Sequence, residues 1–243
     1  MFDIHECLAR IAAATHYDAL WENAVDCFTH CDVDLVSYYH ISPPHAADAG
    51  TIDTLLHGYP KAWVELCLTE KLDACDPLIG ASYSHVKPLR WSEIFKNPRL
   101  DLFQKNFVTQ LTLWMKGDGY SFPLFGPSGR HGYIGLGNSA SIQNWTPQNI
   151  DRLSIIAQTL HVRYSTLRIQ ELPTKFTLEE TEQNIIKEIA RGQTISAIAK
   201  QMGVEPEKFI TALDMLMIKM GVGDVPSLII RSESLGLIKS GMK

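Results

Sequence analysis

The sequence predicts two folded parts, an α+β domain in residues 1–170 and a small all-α domain in residues 178–243. Three observations support this division. Runs of β-branched and aromatic residues, which are typical of strands, occur only in the first part. Helical patterns precede and separate these runs, which indicates an antiparallel sheet with helices on both of its faces. The last seventy or so residues contain no strand pattern, and glycines divide them into short helical segments.

The first half of the α+β domain contains two predicted strands framed by helices. Residues 3–30 carry two helical patterns of apolar positions. The run Val33–Ile41 predicts a strand, a loop rich in proline and alanine follows, and residues 51–58 predict a second strand. Pro60 suits the first turn of a helix, so a helix begins there. Residues 99–116 predict a further helix. Its apolar positions are Leu102, Phe103, Phe107, Leu111 and Met115.

The second half of this domain contains a hairpin and a long helix. Tyr120–Phe125 and Gly132–Leu136 predict two strands, and the residue types of Gly126–Gly129 predict the turn between them. A capped helix then begins at Thr146 and runs toward Ile169. The order of helices and strands therefore predicts a layered α+β architecture.

The C-terminal domain is predicted to contain four helices. Residues 171–177 include Pro173 and predict a short linker before it. Gly192, Gly203 and Gly221 mark helix ends. The predicted helices span Leu178–Arg191, Ile195–Met202, Pro206–Met220 and Val225–Leu235. Because a tight turn joins the second helix to the third, the sequence predicts a helix-turn-helix domain.

The composition is that of an ordinary globular protein. The 243 residues are 45% hydrophobic and 20% charged, with a net charge of −5. No apolar run approaches the length of a membrane span, so no membrane partner is expected. The N-terminus begins with an acidic residue and has no long apolar stretch, so no signal peptide is expected. These observations predict a cytoplasmic protein.

The cysteines and histidines form no metal-binding or catalytic pattern. Cys27 and Cys31 are four residues apart, but no second pair of zinc ligands follows them. Buried free thiols are therefore predicted for the five cysteines. The chain also lacks a phosphate-binding glycine loop and a nucleophile elbow. We expect a protein that is not an enzyme and that needs no cofactor.

The stretch between residues 59 and 91 contains the candidate binding residues. Tyr59, Trp63 and Cys67 are four residues apart, so they share one face if the helix reaches back to Tyr59. Asp76 precedes a proline, which favours an extended or turn conformation, and Trp91 ends the stretch. Aromatic residues with this spacing are typical of a core, and an Asp before proline is typical of a helix cap. The same set can instead line a small-molecule pocket, in which few polar groups orient the ligand.

This stretch resembles the N-terminal ligand-binding domain of the LuxR family of quorum-sensing regulators. The resemblance includes Trp63, the Asp-Pro pair nine residues after Cys67, and Trp91. Gly119 also matches a family glycine, and GYSFPLFGPSGRHGYIGLG resembles the family's strand–turn–strand. The apolar positions of the C-terminal domain fit the LuxR-type helix-turn-helix. The resemblance covers nearly the whole chain and implies a homodimeric transcriptional regulator that binds DNA.

The resemblance also implies roles for individual residues. Trp63 would donate to the lactone carbonyl of an N-acyl-homoserine lactone, Asp76 would accept from its amide N–H, and Tyr59 would donate to the amide carbonyl. Trp91 and Cys67 would form walls of the pocket. Gly135 stands where many members have a Ser or Thr, and the loss of that hydroxyl is expected to leave room. An unusual acyl chain, a different ligand and no ligand at all therefore remain alternatives.

The third helix of the C-terminal domain departs from the family pattern. Its candidate DNA contacts are Lys208, Thr211 and Lys219, and residues 174–243 have nine Lys or Arg against nine Asp or Glu. A helix that enters the major groove needs cations for phosphates and polar groups for base edges. The helix is also rich in methionine, which suits a protein partner. An antiactivator that forms a heterodimer with a LuxR-type activator is therefore the alternative to a DNA-binding regulator.

Overall fold

The computed structural model describes residues 3–43, 46, 48–70, 72–83, 85–171 and 178–238. The chain divides into two units. The first comprises residues 1–41 and 52–167, and the second comprises residues 42–51 and 168–243. The predicted linker is mostly outside the described residues, because residues 172–177 are not among them.

An antiparallel sheet of five strands forms the centre of the first unit, as predicted. The strands are β1 (Leu35–Ile41), β2 (Ile52–His57), β3 (Leu89–Arg90), β4 (Asp118–Phe125) and β5 (His131–Asn138). Their spatial order is β2-β1-β5-β4-β3, and every pair of neighbours is antiparallel. The short strand β3 was not predicted, since two residues are too few to show an alternating pattern.

Helices cover both faces of this sheet. They are α1 (Ile4–Ala13), α2 (Tyr17–Thr29), α3 (Lys61–Glu70), α4 (Pro77–Tyr83), α5 (Trp91–Phe95), α6 (Leu102–Trp114) and α7 (Pro147–Glu171). On one face, residues of α1, α2 and α7 pack against the sheet in one large core. On the other face, two smaller clusters contain residues of α3 to α6. In the apolar set predicted for α6, Phe107 and Leu111 are buried, whereas Leu102 and Phe103 are exposed.

The alternation of side chains along β1 separates the two faces. Val36 and Tyr38 belong to the large core, whereas Leu35 and Tyr39 belong to one of the smaller clusters. Ser37 shares the face of Leu35 and Tyr39, because successive strand residues point to opposite sides. This second face, beneath α3 to α6, carries the candidate site.

A disulfide between Cys7 and Cys27 joins α1 to α2. The prediction of free thiols is therefore wrong for these two residues. The sequence spacing did not indicate this pair. The two cysteines are 20 residues apart in the chain, and they meet because α1 and α2 pack side by side. Among the described residues, Cys31, Cys67 and Cys75 are not in disulfides, and each is half-buried.

The large core contains a buried histidine, His161 of α7. Its Nδ1 lies 2.9 Å from the Tyr38 hydroxyl and its Nε2 lies 3.2 Å from the Arg130 carbonyl oxygen. A neutral imidazole satisfies both contacts if Nε2–H donates to the carbonyl and Nδ1 accepts from the phenol. Burial lowers the pKa of His161 from 6.5 to about 3, although the Arg130 carbonyl opposes the shift.

We expect His161 to make the protein less stable in mild acid. Because the pKa is lower in the folded state, the unfolded chain takes up the proton first, and stability falls below pH 6.5. The expected contribution is a loss of about 1.4 kcal/mol per pH unit. Urea unfolding at a series of pH values checks this. His161→Gln should remove this part of the slope, and an unchanged slope in the variant would contradict the assignment.

The second unit is helical in the part of the chain that the structure describes. After the end of α7 it contains α8 (Glu180–Ala190), α9 (Ile195–Gln201), α10 (Pro206–Met220) and α11 (Val225–Ser234). Ile186, Ala199, Leu213 and Leu228 are among the residues that form its core. A short turn at Gly203 joins α9 to α10, as expected. Among the described residues, no helix has the length and apolar character required to cross a bilayer.

Candidate small-molecule pocket

A cavity of about 70 Å³ lies between the second face of the sheet and the helices that cover it. The predicted residues Tyr59, Trp63, Cys67, Asp76 and Trp91 all line it. Ten further residues complete the lining. They are Ser37, Tyr39, Thr54, Leu56, Val64, Leu78, Phe107, Leu111, Met115 and Tyr133. The cavity is therefore mostly apolar, with a small number of polar groups.

Helix α3 and the turn before it provide one wall of the cavity. Trp63 is 3% exposed and packs edge-on against Phe107 of α6, with ring centroids 5.9 Å apart. Cys67 lies one helical turn further along α3. Tyr59 precedes the first helical residue, Lys61, so it reaches the cavity from the turn and not from the helix. Burial raises the pKa of Tyr59 and keeps the phenol protonated, so it can donate a hydrogen bond.

Asp76 immediately precedes α4 and also lines the cavity. Its Oδ1 accepts a hydrogen bond of 2.8 Å from the backbone N–H of Leu78. The helix-cap and pocket interpretations of Asp76 are therefore compatible. Among the described residues that line the cavity, Asp76 is the only carboxylate, and none is Lys, Arg or His. Asp76 thus gives the cavity an acidic hydrogen-bond acceptor.

Trp91 lies flat on the sheet where three glycines leave space. A Cβ atom at Gly137 would be 2.6 Å from two carbons of the indole, and one at Gly119 would be 2.9 Å from another. Real Cβ atoms essentially never approach so closely. The indole N–H donates a hydrogen bond of 3.0 Å to the Ser121 hydroxyl. The glycines therefore determine how deeply Trp91 can lie beneath the cavity.

Asp118 holds the segment that carries Trp91. It accepts hydrogen bonds from Arg90 Nε at 2.7 Å, from Ser92 Oγ at 2.8 Å and from the Ser92 backbone N–H at 3.1 Å. Burial alone would raise the pKa of Asp118, but these hydrogen bonds lower it below its usual value. The residues on both sides of Trp91 are thus attached to β4.

Gly135 does not leave the room that was expected. A Cβ at this position would be 2.6 Å from Ser37 Oγ and 3.1 Å from both the Tyr133 hydroxyl and Trp91. The expectation was wrong because these three side chains occupy the space from neighbouring positions. Gly135 itself is not among the residues that line the cavity. It lies beneath them and allows two hydroxyls to approach each other.

Sequence reasoning missed the residues that the sheet contributes, above all Ser37 and Tyr133. Ser37 of β1 pairs with Gly135 of β5, and Tyr39 pairs with Tyr133. Strand alternation alone places Tyr133 and Gly135 on one face, so this signal was present in the sequence. No signal in the sequence indicated the pairing of β1 with β5, because this pairing joins residues about a hundred positions apart in the chain.

The volume of the cavity is smaller than that of most ligand pockets, which measure roughly 300–1,000 Å³. An acyl chain can therefore enter only if side chains of the lining move. Met115 is suited to this because methionine has three rotatable bonds and adapts to different shapes. It follows α6, whose Leu111 also faces the cavity.

The predicted DNA contacts on α10 are arranged as follows. Lys219 Nζ contacts the two carboxylate oxygens of Glu182 at 2.7 and 2.9 Å. The Thr211 hydroxyl donates to the backbone carbonyl of Glu207 at 3.1 Å, and Lys208 is exposed. The helical spacing of three and four residues puts one set of side chains on the exposed, outward face of α10: Glu207, Thr211, Asp214 and Ile218. Ile218 is 72% exposed.

An α+β domain with a cavity beneath one face of its sheet thus shares the chain with a helical unit. The family described as the autoinducer binding domain matches residues 17–164. The chain therefore belongs to the autoinducer-binding-domain family, which confirms the resemblance to LuxR-family proteins.

Individual relatives are distant in sequence. The chain is 22% identical to y4qH of Sinorhizobium fredii, which is named as an HTH-type transcriptional regulator, over 185 residues. The match covers 74% of this chain but spans only 56% of that relative's length. The structure of Escherichia coli SdiA is similar over 97% of both chains, with a TM-score of 0.67 and 15% identity. SdiA in complex with octanoyl-rac-glycerol covers 100% of both chains, with a TM-score of 0.66 and 16% identity. These structures share the fold.

Proposed function

We propose that this protein is a LuxR-type transcriptional regulator that senses an N-acyl-homoserine lactone or a related neutral amphiphile. The observation that carries the proposal is the cavity that Trp63 and Asp76 line together. The membership of the autoinducer-binding family supports it. So does the fold shared with SdiA, whose structure is known in complex with octanoyl-rac-glycerol.

The polar lining suits a ligand with an amide or hydroxyl head. Asp76 would accept from the ligand N–H or O–H, and such a charge-assisted bond is stronger than one between neutral groups. The Trp63 indole and the Tyr59 phenol would donate to carbonyl oxygens. Cys67 and Trp91 would contact the apolar parts of the ligand, and Gly135 would act only through the residues above it.

Ligand binding would complete the core of the first unit. A ligand that binds only the folded state stabilises it by about 2.7 kcal/mol when its free concentration is about 100 times its Kd. The signal would then pass to DNA through the helical unit of a homodimer. We also propose that the two domains span residues 1–170 and 178–243 and that the protein is cytoplasmic.

A second candidate function is an antiactivator that inhibits a LuxR-type activator by forming a heterodimer. The outward face of α10 supports it, because Glu207 and Asp214 lie where a DNA-reading helix needs cations. Lys219 forms an ion pair with Glu182, and the other lysine of α10 is the exposed Lys208. The exposed Met215 and Ile218 suit contact with a protein.

One experiment separates the two candidates. The protein is titrated onto promoter DNA over a series of salt concentrations, alone and with a co-expressed LuxR-type activator. Sequence-selective binding by the protein alone, with an affinity that falls as salt rises, identifies a DNA-binding regulator. Absence of binding by the protein alone, together with loss of the activator's binding, identifies an antiactivator. Absence of both effects would contradict the regulatory function itself.

A further inference from the structure

Two hydroxyl groups meet at the floor of the cavity, above Gly135. Ser37 comes from β1 and Tyr133 from β5, and their oxygens lie 3.5 Å apart. A separation of 3.5 Å is at the long end of the range for a hydrogen bond between hydroxyls. The Ser37 side chain also hydrogen-bonds the Tyr59 phenol, so the pair belongs to a cluster of three hydroxyls whose O–H groups can rotate toward a ligand oxygen. Any side chain larger than glycine at position 135 would push the two hydroxyls apart.

Both hydroxyls are held in place by their surroundings. The Tyr133 ring is 1% exposed and stacks on Tyr39, with ring centroids 5.2 Å apart and an angle of 28° between the planes. Ser37 is 6% exposed and lies on the central part of β1. Burial raises the pKa of the Tyr133 phenol, which therefore stays protonated and able to donate. Donors that are already ordered lose little entropy when a ligand binds.

The carboxylate of Asp76 completes the arrangement. Asp76, Tyr59 and Tyr133 line the same cavity, and burial together with the negative charge of Asp76 raises the pKa of both phenols. This region thus combines an anionic acceptor with neutral hydroxyl donors. A ligand that satisfies it needs an N–H or O–H for the carboxylate and an acceptor oxygen for the hydroxyl pair. The negative charge of Asp76 would repel an anionic head group, and the described lining includes no Lys, Arg or His to attract one.

We propose that Ser37 and Tyr133 act as a paired hydroxyl donor that determines head-group specificity, and that the cavity selects neutral amphiphiles over acyl anions. The inference rests on the proposed function, since it requires that this cavity is the ligand site. It adds two specificity-determining residues from the sheet to Trp63 of α3 and Asp76 before α4, which are already proposed to bind the ligand. It also defines the ligand class by its head group, which must carry a donor and an acceptor without a negative charge.

The test measures affinity by isothermal titration calorimetry with three ligands that share an octanoyl chain. These are N-octanoyl-homoserine lactone, 1-octanoyl-rac-glycerol and octanoate. Wild-type protein is compared with Tyr133→Phe and Ser37→Ala, and the control is Tyr120→Phe. Tyr120 stacks on Trp145 in the core on the other side of the sheet, so the control removes a phenol hydroxyl away from the cavity.

The expected result is that at least one neutral ligand binds the wild type and that octanoate binds at least ten-fold more weakly. Tyr133→Phe and Ser37→Ala should each weaken binding of the neutral ligand by about three- to ten-fold, because each loses one hydrogen bond. Tyr120→Phe should bind as the wild type does. If one of the two cavity variants fails to fold, the other gives the same information.

The remaining outcomes separate the two levels of the proposal. If a neutral ligand binds the wild type and both cavity variants equally well, the role of the hydroxyl pair is wrong while the proposed function stands. If octanoate binds as tightly as octanoylglycerol, the selection against anions is wrong. If neither neutral ligand binds the wild type, the proposed function fails, and this inference fails with it.

Discussion

Asp76→Asn is expected to abolish most of the thermal stabilisation by ligand. The substitution keeps the shape of the side chain but removes the charge and replaces one acceptor oxygen with a donor. A hydrogen bond to a charged group contributes about 1.5–3 kcal/mol, so affinity should fall by roughly ten- to one-hundred-fold. Melting temperatures of wild type and variant, measured with and without N-octanoyl-homoserine lactone, report the difference.

Asp101→Asn is the matched control for this variant. Asp101 also precedes a helix, and its side chain accepts from the backbone N–H of Gln104 at 2.8 Å. Both variants therefore change a helix cap, but Asp101 is not among the residues of the cavity. The control should lose some stability and keep the full ligand-induced rise. An undiminished rise in Asp76→Asn would remove Asp76 from the site.

Gly137→Ala is expected to destabilise the first unit by about 1–3 kcal/mol, a typical cost of overpacking. The new methyl group would be 2.6 Å from two indole carbons of Trp91 and 3.1 Å from the carbonyl oxygen of Asp118. The indole would have to rise from the sheet, which would stretch its hydrogen bond to Ser121 and narrow the cavity. Urea unfolding and ligand titration of the same variant measure both consequences.

Gly223→Ala provides the comparison for this second variant. A Cβ atom at Gly223 would have no neighbour within 4 Å, and the backbone there is not in the left-handed region. The same chemical change should therefore leave stability nearly unchanged, or raise it by a few tenths of a kcal/mol through the unfolded chain. Equal effects of the two substitutions would show that Trp91 does not depend on the glycines.

The local part of the site could be predicted from the sequence, whereas its long-range part could not. Trp63 and Cys67 were predicted because helical spacing brings nearby residues to one side, and Tyr59 reaches the cavity from the turn just before that helix. Ser37 and Tyr133 meet through the register of two strands that are far apart in the chain, and no local pattern encodes that register. The disulfide between Cys7 and Cys27 was missed for a related reason, since it depends on how two helices pack.

The fold was predictable wherever an element was long enough to show its period. The antiparallel sheet and the long helix α7 correspond to clear patterns, whereas α4, β3 and α5 have only seven, two and five residues and show no clear period. The error at Gly135 has a different origin. The loss of a side chain was interpreted as empty space, although close packing makes neighbouring groups fill such a position.

A crystal structure of the protein with N-octanoyl-homoserine lactone tests the central claim most directly. We predict electron density for the ligand within the cavity, with its amide N–H hydrogen-bonded to Asp76 and its acyl chain against Met115 and Leu111. Ligand density at another place on the protein, or a head group oriented away from Asp76 and Trp63, would contradict it.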